Sequence, residues 1–244
     1  MNALTLNEQQ ILLQTHVRYE GSVSSAPSSS DDDYLVRRTL ANEAIARWAN
    51  AEGTLWNELW TPSAGATGAV TTIATNTTIY ALPSNFLFLG GYVRLIDSNG
   101  NPTYYKKVDT YIQDLHDADT PGLVYVTGNA NSGYNLNFFP GLNNTFPSTA
   151  DIGKTIKYEY YKTPNYFGNP TDVPEMSDPW MIVHYVLAAL YVQDSNYEQA
   201  DKEWAIAEGL LKEMQTKNMM GSWMQDKRVE DQQFTFENTG GFGT

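Results

Sequence analysis

The run Trp180-Met181-Ile182-Val183-His184-Tyr185-Val186-Leu187-Ala188-Ala189-Leu190-Tyr191-Val192 is apolar on almost every side of a helix. A helix of this kind has no polar face to offer water, so other elements must wrap it. Ser177-Asp178-Pro179 provides its start: a side-chain oxygen can cap the free N–H groups of the first turn, and proline is tolerated there because its missing N–H costs nothing. Asp194-Ser195-Asn196 breaks the pattern, and Tyr197 to Thr216 resumes it with Ala200, Trp204, Ala207, Leu210, Leu211 and Met214 on one side. Glu198, Lys202, Glu203, Glu208, Lys212 and Glu213 fall on the other, toward water. Residues 177–216 therefore predict a helical hairpin with one buried helix and one amphipathic cover helix.

What covers the buried helix is sought in the rest of the chain. Its 244 residues are enough for one sizeable domain or two small ones, and 41% hydrophobic content is ordinary for a chain that folds in water. Fifteen basic residues against 28 acidic ones leave a formal charge of -13, which disfavours a nucleic-acid groove or an anionic membrane as partner for the surface as a whole. There is no cysteine, hence no disulfide and no thiolate metal ligand. Met1 to Asn7 lacks a basic segment followed by an apolar one, so no signal peptide is expected. The run 180–192 falls short of the about 20 apolar residues that a membrane span needs, and a cytoplasm-like setting is the expectation.

Thr5 or Asn7 can cap a first helix carrying Ile11, Leu12, Thr15 and Tyr19 and ending at Gly21. Ser22 to Ser30 reads as a flexible linker. Asp31-Asp32-Asp33 favours the positive end of a helix dipole rather than a calcium loop, because the alternating oxygen ligands and the glycine of such a loop are missing. The stripe Leu40, Ala44, Ile45, Trp48, Leu55, Leu59 then predicts a long amphipathic helix ending at Trp60-Thr61-Pro62. From Ala66 the period falls to two. Strands are expected within Val70–Leu82, Phe86–Asp97, Thr103–Val108, Leu123–Thr127, Tyr134–Phe139 and Lys154–Lys162, with hairpins across Ser98-Asn99-Gly100-Asn101 and across Gly128 to Gly133. Asp109 to His116 reads as one helical turn, and Thr163 to Met176 as a return loop. From Lys217 the periodicity is lost, and Trp223, Phe234, Phe236 and Phe242 stand among polar residues and glycines as anchors for an arm that orders on a partner.

Catalytic motifs are scarce. His16, His116 and His184 fall on different elements with no metal-ligand spacing, and His184 on its apolar helix reads as a core or interface residue. Gly153-Lys154-Thr155 resembles the end of a phosphate loop, but Ser148 stands where the first glycine is needed and a strand follows in place of a helix. Gly240-Gly241-Phe242-Gly243 follows no strand. Asp172, Glu175 and Asp178 have the composition of a glycosidase carboxylate pair, although acids around prolines before a helix usually serve turns and caps. No cofactor and no metal is expected, and an enzyme is not.

Several segments in order resemble a known family. Trp56 and Trp60 closing the N-terminal helices, Tyr80-Ala81-Leu82-Pro83 ending a threonine-rich strand, Tyr158-Glu159-Tyr160-Tyr161-Lys162-Thr163-Pro164, and Asp172-Val173-Pro174-Glu175-Met176-Ser177-Asp178-Pro179-Trp180 before an apolar helix are similar to the head-to-tail adaptor (connector) proteins of tailed bacteriophages, over about residues 5 to 216. The resemblance implies a homo-oligomeric ring, commonly of twelve copies, docked on the portal protein and next to tail or nozzle proteins, with DNA passing through its lumen and no enzymatic role. It implies a place at the head-tail junction of a virion assembled in the host cytoplasm.

The expected class is α+β: a helical bundle with an inserted antiparallel β-domain and an extended C-terminal arm. Residues 1–62 supply the first helices with a linker at 22–30, 66–164 the β-domain, 177–216 the hairpin that completes the bundle, and 217–244 the arm. Two rival readings are a β-module binding carbohydrate or protein on a platform of Tyr104, Tyr105, Tyr134, Phe138 and Phe139, and a hydrolase using Asp172 to Asp178.

Overall fold

A computed structural model of the chain describes residues 4–18, 26, 28–62, 71–108, 122–139 and 146–237, and all of their side chains except those of 15–18, 62 and 220–237. The chain is α+β and divides into two units, Met1–Glu58 with Pro164–Thr244, and Leu59–Thr163. The expected helical turn at 109–116 and most of the 22–30 linker lie outside the described residues.

Among the described residues, the first unit is built on four α-helices. Helix α1 (Leu6–Arg18) starts with a capping box: Thr5 N–H donates to Glu8 Oε2 at 2.7 Å, and Glu8 N–H donates to Thr5 Oγ1 at 3.3 Å. Its buried face is Leu6, Gln9, Gln10 and Leu13, while Ile11 and Leu12 stay half-buried. Helix α2 (Asp32–Ala49) has Asp31 at its N-cap and Asp32 and Asp33 in its first turn, and buries Tyr34, Arg37, Ala41, Ala44, Ile45 and Trp48. The expected extension to Trp60 does not occur. Asn50 Nδ2 donates to Ala46 O at 2.8 Å and closes the helix, after which the chain folds back so that Trp56 Nε1 donates to Trp48 O at 2.7 Å. The two indoles meet with centroids 5.2 Å apart. A spacing of fours and sevens cannot tell a continuing helix from a segment that returns to the same core; Leu55, on the expected stripe, is 53% exposed.

Helix α3 (Trp180–Gln193) is the buried one, with Met181, Ile182, Val183, Val186, Leu187 and Ala188 shielded by α1, α2 and α4. Its first turn is capped as expected, by Asp178 Oδ1 accepting Trp180 N–H at 3.1 Å. Helix α4 (Tyr197–Glu237) lays Ala200, Ala207, Leu211 and Met214 against its neighbours. Glu203 and Glu208, expected to face water, are half-buried instead: Glu203 reaches His184 and Glu208 takes Arg47 Nε at 2.8 Å. The helix does not stop near Thr216 but runs to Glu237, so the arm is helical in backbone over most of its length. Lys217 to Glu237 contains no proline and one glycine, which leaves helix propensity intact although the hydrophobic period is lost.

Among the described residues, the second unit holds nine strands in two sheets. One is β1 (Trp60–Pro62), β9 (Glu159–Lys162) and β3 (Phe86–Leu89), in the order β1-β9-β3. The other is β2 (Ile79–Ala81), β7 (Gly133–Phe139), β6 (Leu123–Asn129), β5 (Pro102–Lys107), β4 (Tyr92–Ile96) and β8 (Thr155–Lys157), in the order β2-β7-β6-β5-β4-β8. All pairings are antiparallel except a short parallel ladder of β5 on β6, Lys106 opposite Leu123 and Lys107 opposite Val124. Both expected hairpins form: Asp97 Oδ1 accepts the N–H groups of Asn99 and Asn101, and Asn129 Oδ1 those of Asn131 and Ser132.

Two stretches expected as single strands are each divided between the sheets. Phe86 to Ile96 breaks at Gly90-Gly91, and Thr155 to Lys162 breaks at Tyr158. The breaks lie side by side, with Gly90 N–H donating to Glu159 O at 2.7 Å; a Cβ on Gly90 would sit 2.9 Å from that oxygen. One apolar core joins both sheets, with Phe86, Leu89 and Tyr160 from the smaller and Val93, Leu95, Val124, Leu136 and Ile156 from the larger.

Candidate interaction site

The carboxylates before α3 are structural. Asp172 Oδ2 accepts Gly168 N–H at 2.7 Å and Asn169 N–H at 2.6 Å, and these two donors hold its carboxyl below the usual carboxylate range. Glu175 takes the backbone and side-chain N–H of Asn165 at 3.1 and 3.0 Å, and Asp178 caps α3. The three therefore serve turns and caps, as acids around prolines before a helix usually do.

Together they stiffen the loop 164–176. Asn42 of α2 grips it by both backbone groups of Phe167, Oδ1 accepting the N–H at 2.8 Å and Nδ2 donating to the carbonyl at 3.2 Å. Leu6 N–H and Asn7 N–H donate to the carbonyls of Asp172 and Pro170 at 3.0 and 3.1 Å, which ties the start of α1 to the same loop. The loop lines an open pocket of about 270 Å³ bounded by Asn165, Tyr166, Phe167, Asp172 and Val173. Phe167 is buried, whereas Tyr166 and Val173 remain 50% and 42% exposed on a rigid backbone.

His184 Nδ1 lies 2.6 Å from Glu203 Oε2 and joins α3 to α4, the interface role expected of it. The His16 side chain and all of His116 lie outside the described residues. Among the described residues, no three or more His, Cys, Asp or Glu converge on a possible metal position, and no helix is long and apolar enough to cross a membrane. Gly153-Lys154-Thr155 is the turn entering β8, where Lys154 Nζ meets Asp151 Oδ1 at 2.9 Å. Burial alone would raise the Asp151 carboxyl, but hydrogen bonds from Ser148 and Lys154 outweigh it and leave it lowered.

The aromatic platform is not assembled. Strand alternation sends Tyr105 and Phe138 into the core, 8% and 3% exposed, and packs Tyr134 against that core, leaving Tyr104 outside at 59%. Tyr104 meets Tyr92 of β4 edge-on at 6.3 Å. Opposite parity of neighbouring tyrosines was the sequence signal that separates them. Of the expected arm anchors, Trp223, Phe234 and Phe236 fall on the backbone of α4, with their side chains outside the described residues, and Phe242 lies outside them altogether. Residues with no sequence signal of their own are the exposed Tyr166 and Val173, whose presentation depends on Asn42 far back in the chain.

The surfaces on offer are a braced loop, a sheet face and a long helix. No curated protein gives a match to the chain. The family model described as SU10 adaptor protein matches residues 13–229, across the helices and the β-unit alike, and the chain belongs to this family of phage adaptor proteins.

Proposed function

We propose that the protein is a structural component of the virion, an adaptor that forms a homo-oligomeric ring between the portal protein and the tail or nozzle proteins and leaves a conduit for DNA. The observation that carries this reading is the family match over residues 13–229, which takes in every helix and strand apart from the ends of α1 and α4. The layout is that of an inserted β-domain in a helical bundle. Twelve copies is the number expected from the resemblance to head-to-tail connectors. A formal charge of -13 supports passage of DNA without retention, since a polyanion slides past an acidic or neutral lumen.

Helix α4 supports the docking arm. At 41 residues it is about 60 Å long, against about 21 Å for the 14 residues of α3, so α3 covers only its first part. The last described side chain that ties it to the rest of its unit is Asn218, whose Nδ2 donates to Leu55 O at 2.7 Å. Trp223, Phe234, Phe236 and Phe242 follow and are the proposed anchors on the portal or on a neighbouring subunit. Negative-stain imaging of the purified protein mixed with its portal is expected to show a ring stacked on the portal. A chain that stays monomeric and never joins the portal overturns the reading.

A further inference from the structure

The net charge is not spread evenly over the chain. The helical unit carries nine basic against 21 acidic residues, a formal -12, and the β-unit six against seven, a formal -1. Its six bases are Arg94, Lys106, Lys107, Lys154, Lys157 and Lys162, and of its seven acids Asp97, Asp151 and Glu159 are among the described residues, while Asp109, Asp114, Asp117 and Asp119 lie outside them.

Three of these bases share the outer face of the six-stranded sheet. Register places Lys157 opposite Arg94, Arg94 opposite Tyr104, and Tyr92 opposite Lys106, while the intervening Val93, Leu95 and Tyr105 point into the core. Tyr92 and Tyr104 are 57% and 59% exposed, and Lys106 is exposed as well. Arg94 pairs with Glu159 at 2.7 Å, but Lys106 and Lys157 form no ion pair among the described residues. The result is a face on which large exposed aromatic rings alternate with cations.

The opposite combination stands on the helical unit, at the turn between α3 and α4. Val192 and Tyr197 are exposed there at 43% and 62%, flanked by the exposed Asp194 and Asp201 and by Glu198, which pairs with Lys202 at 2.8 Å. The turn is tight, with Ser195 N–H donating to Val192 O at 3.0 Å and Asn196 N–H to Tyr191 O at 2.8 Å, so these side chains stand on a fixed backbone.

We infer that the Tyr92/Arg94/Tyr104/Lys106/Lys157 face of one copy receives the acidic α3–α4 turn of a second copy. Two different patches of one chain that fit each other make a head-to-tail contact, which closes into a ring when the rotation allows. Opposite charge sets register and speeds encounter, and the exposed rings and Val192 supply apolar area on both sides. The inference rests on the ring reading and names the surfaces that would build the ring.

The test is a charge swap on the full chain, read by native mass spectrometry and sedimentation, with circular dichroism to confirm folding. Lys106→Glu with Lys157→Glu is expected to weaken self-association at least about tenfold, and so is Asp194→Lys with Asp201→Lys. All four substitutions in one chain restore it, an outcome that misfolding cannot mimic. Assembly of the wild type also weakens as salt rises. If the wild type assembles and Lys106→Glu/Lys157→Glu assembles equally well, the inference falls and the ring reading stands. If the wild type forms no oligomer alone or on its portal, both fall. Retention of the wild type on single-stranded DNA, lost in Lys106→Glu/Lys157→Glu while assembly is unchanged, assigns the face to nucleic acid and overturns the inference.

Discussion

Asn42 holds Phe167 by its N–H and its carbonyl. Replacing it with alanine leaves two half-buried peptide groups without partners, at about 1 kcal/mol or more each. Asn42→Ala is therefore expected to lower the urea midpoint by about 2–3 kcal/mol of stability, and Asn42→Asp, which keeps the acceptor, by less. At Gly128 the constraint is steric: φ is +102°, and a Cβ would lie 2.1 Å from Gly133 O. Gly128→Ala is expected to cost at least about 2 kcal/mol, because the strain combines an unfavourable dihedral with a backbone clash in the β6–β7 hairpin. The two positions differ in legibility. Gly128 sits in a run of turn residues and announces a hairpin, whereas Asn42 is one polar residue on a helix, and its partner is 125 positions away.

Helix α3 behaves as its composition requires. Leu187 is 3% exposed on the helix that α1, α2 and α4 all cover, so Leu187→Ala is expected to destabilise by about 2–5 kcal/mol in thermal or chemical unfolding, the range for a core cavity that collapses only in part. Capping and apolar content made this element readable, since both are local. Boundaries were less so. The stripe through Leu55 and Leu59 carried the expected helix to Trp60, yet α2 closes at Ala49 because Asn50 caps it and Trp56 returns to Trp48. Trp60 pairs in β1 with Tyr161, a partner that no local pattern names. Helix α4 erred the other way: a sequence without an amphipathic stripe still helices to Glu237, because backbone propensity and packing are separate signals.

At the scale of the molecule, the β-unit core contains titratable groups whose proton is held by burial. Burial pushes the Tyr105 phenol up to about 12, helped by the charge of Asp151, and burial with neighbouring Tyr160 does the same for Tyr158. Both fold with the proton bound more tightly than the ordinary tyrosine near pH 10, so their stabilisation is complete below pH 10 and is lost as pH rises from about 10 to 12. Alkaline titration followed by tyrosinate absorbance is expected to show these phenols ionising together with unfolding of the β-unit. Tyr105→Phe or Tyr158→Phe should move that midpoint upward. By itself the sequence determined the kinds of element and their order, helices around strands, because helical and strand periods, caps and hairpin turns are written in residues a few positions apart. It also determined that α3 must be covered. The tertiary structure alone decided where α2 ends, that Phe86 to Ile96 and Thr155 to Lys162 each divide between two sheets, and that Asn42 holds Phe167. Pairings such as Trp60 with Tyr161, Gly90 with Glu159 and Phe167 with Asn42 join residues distant in sequence, and pairing at that distance follows from the shared core rather than from local preference.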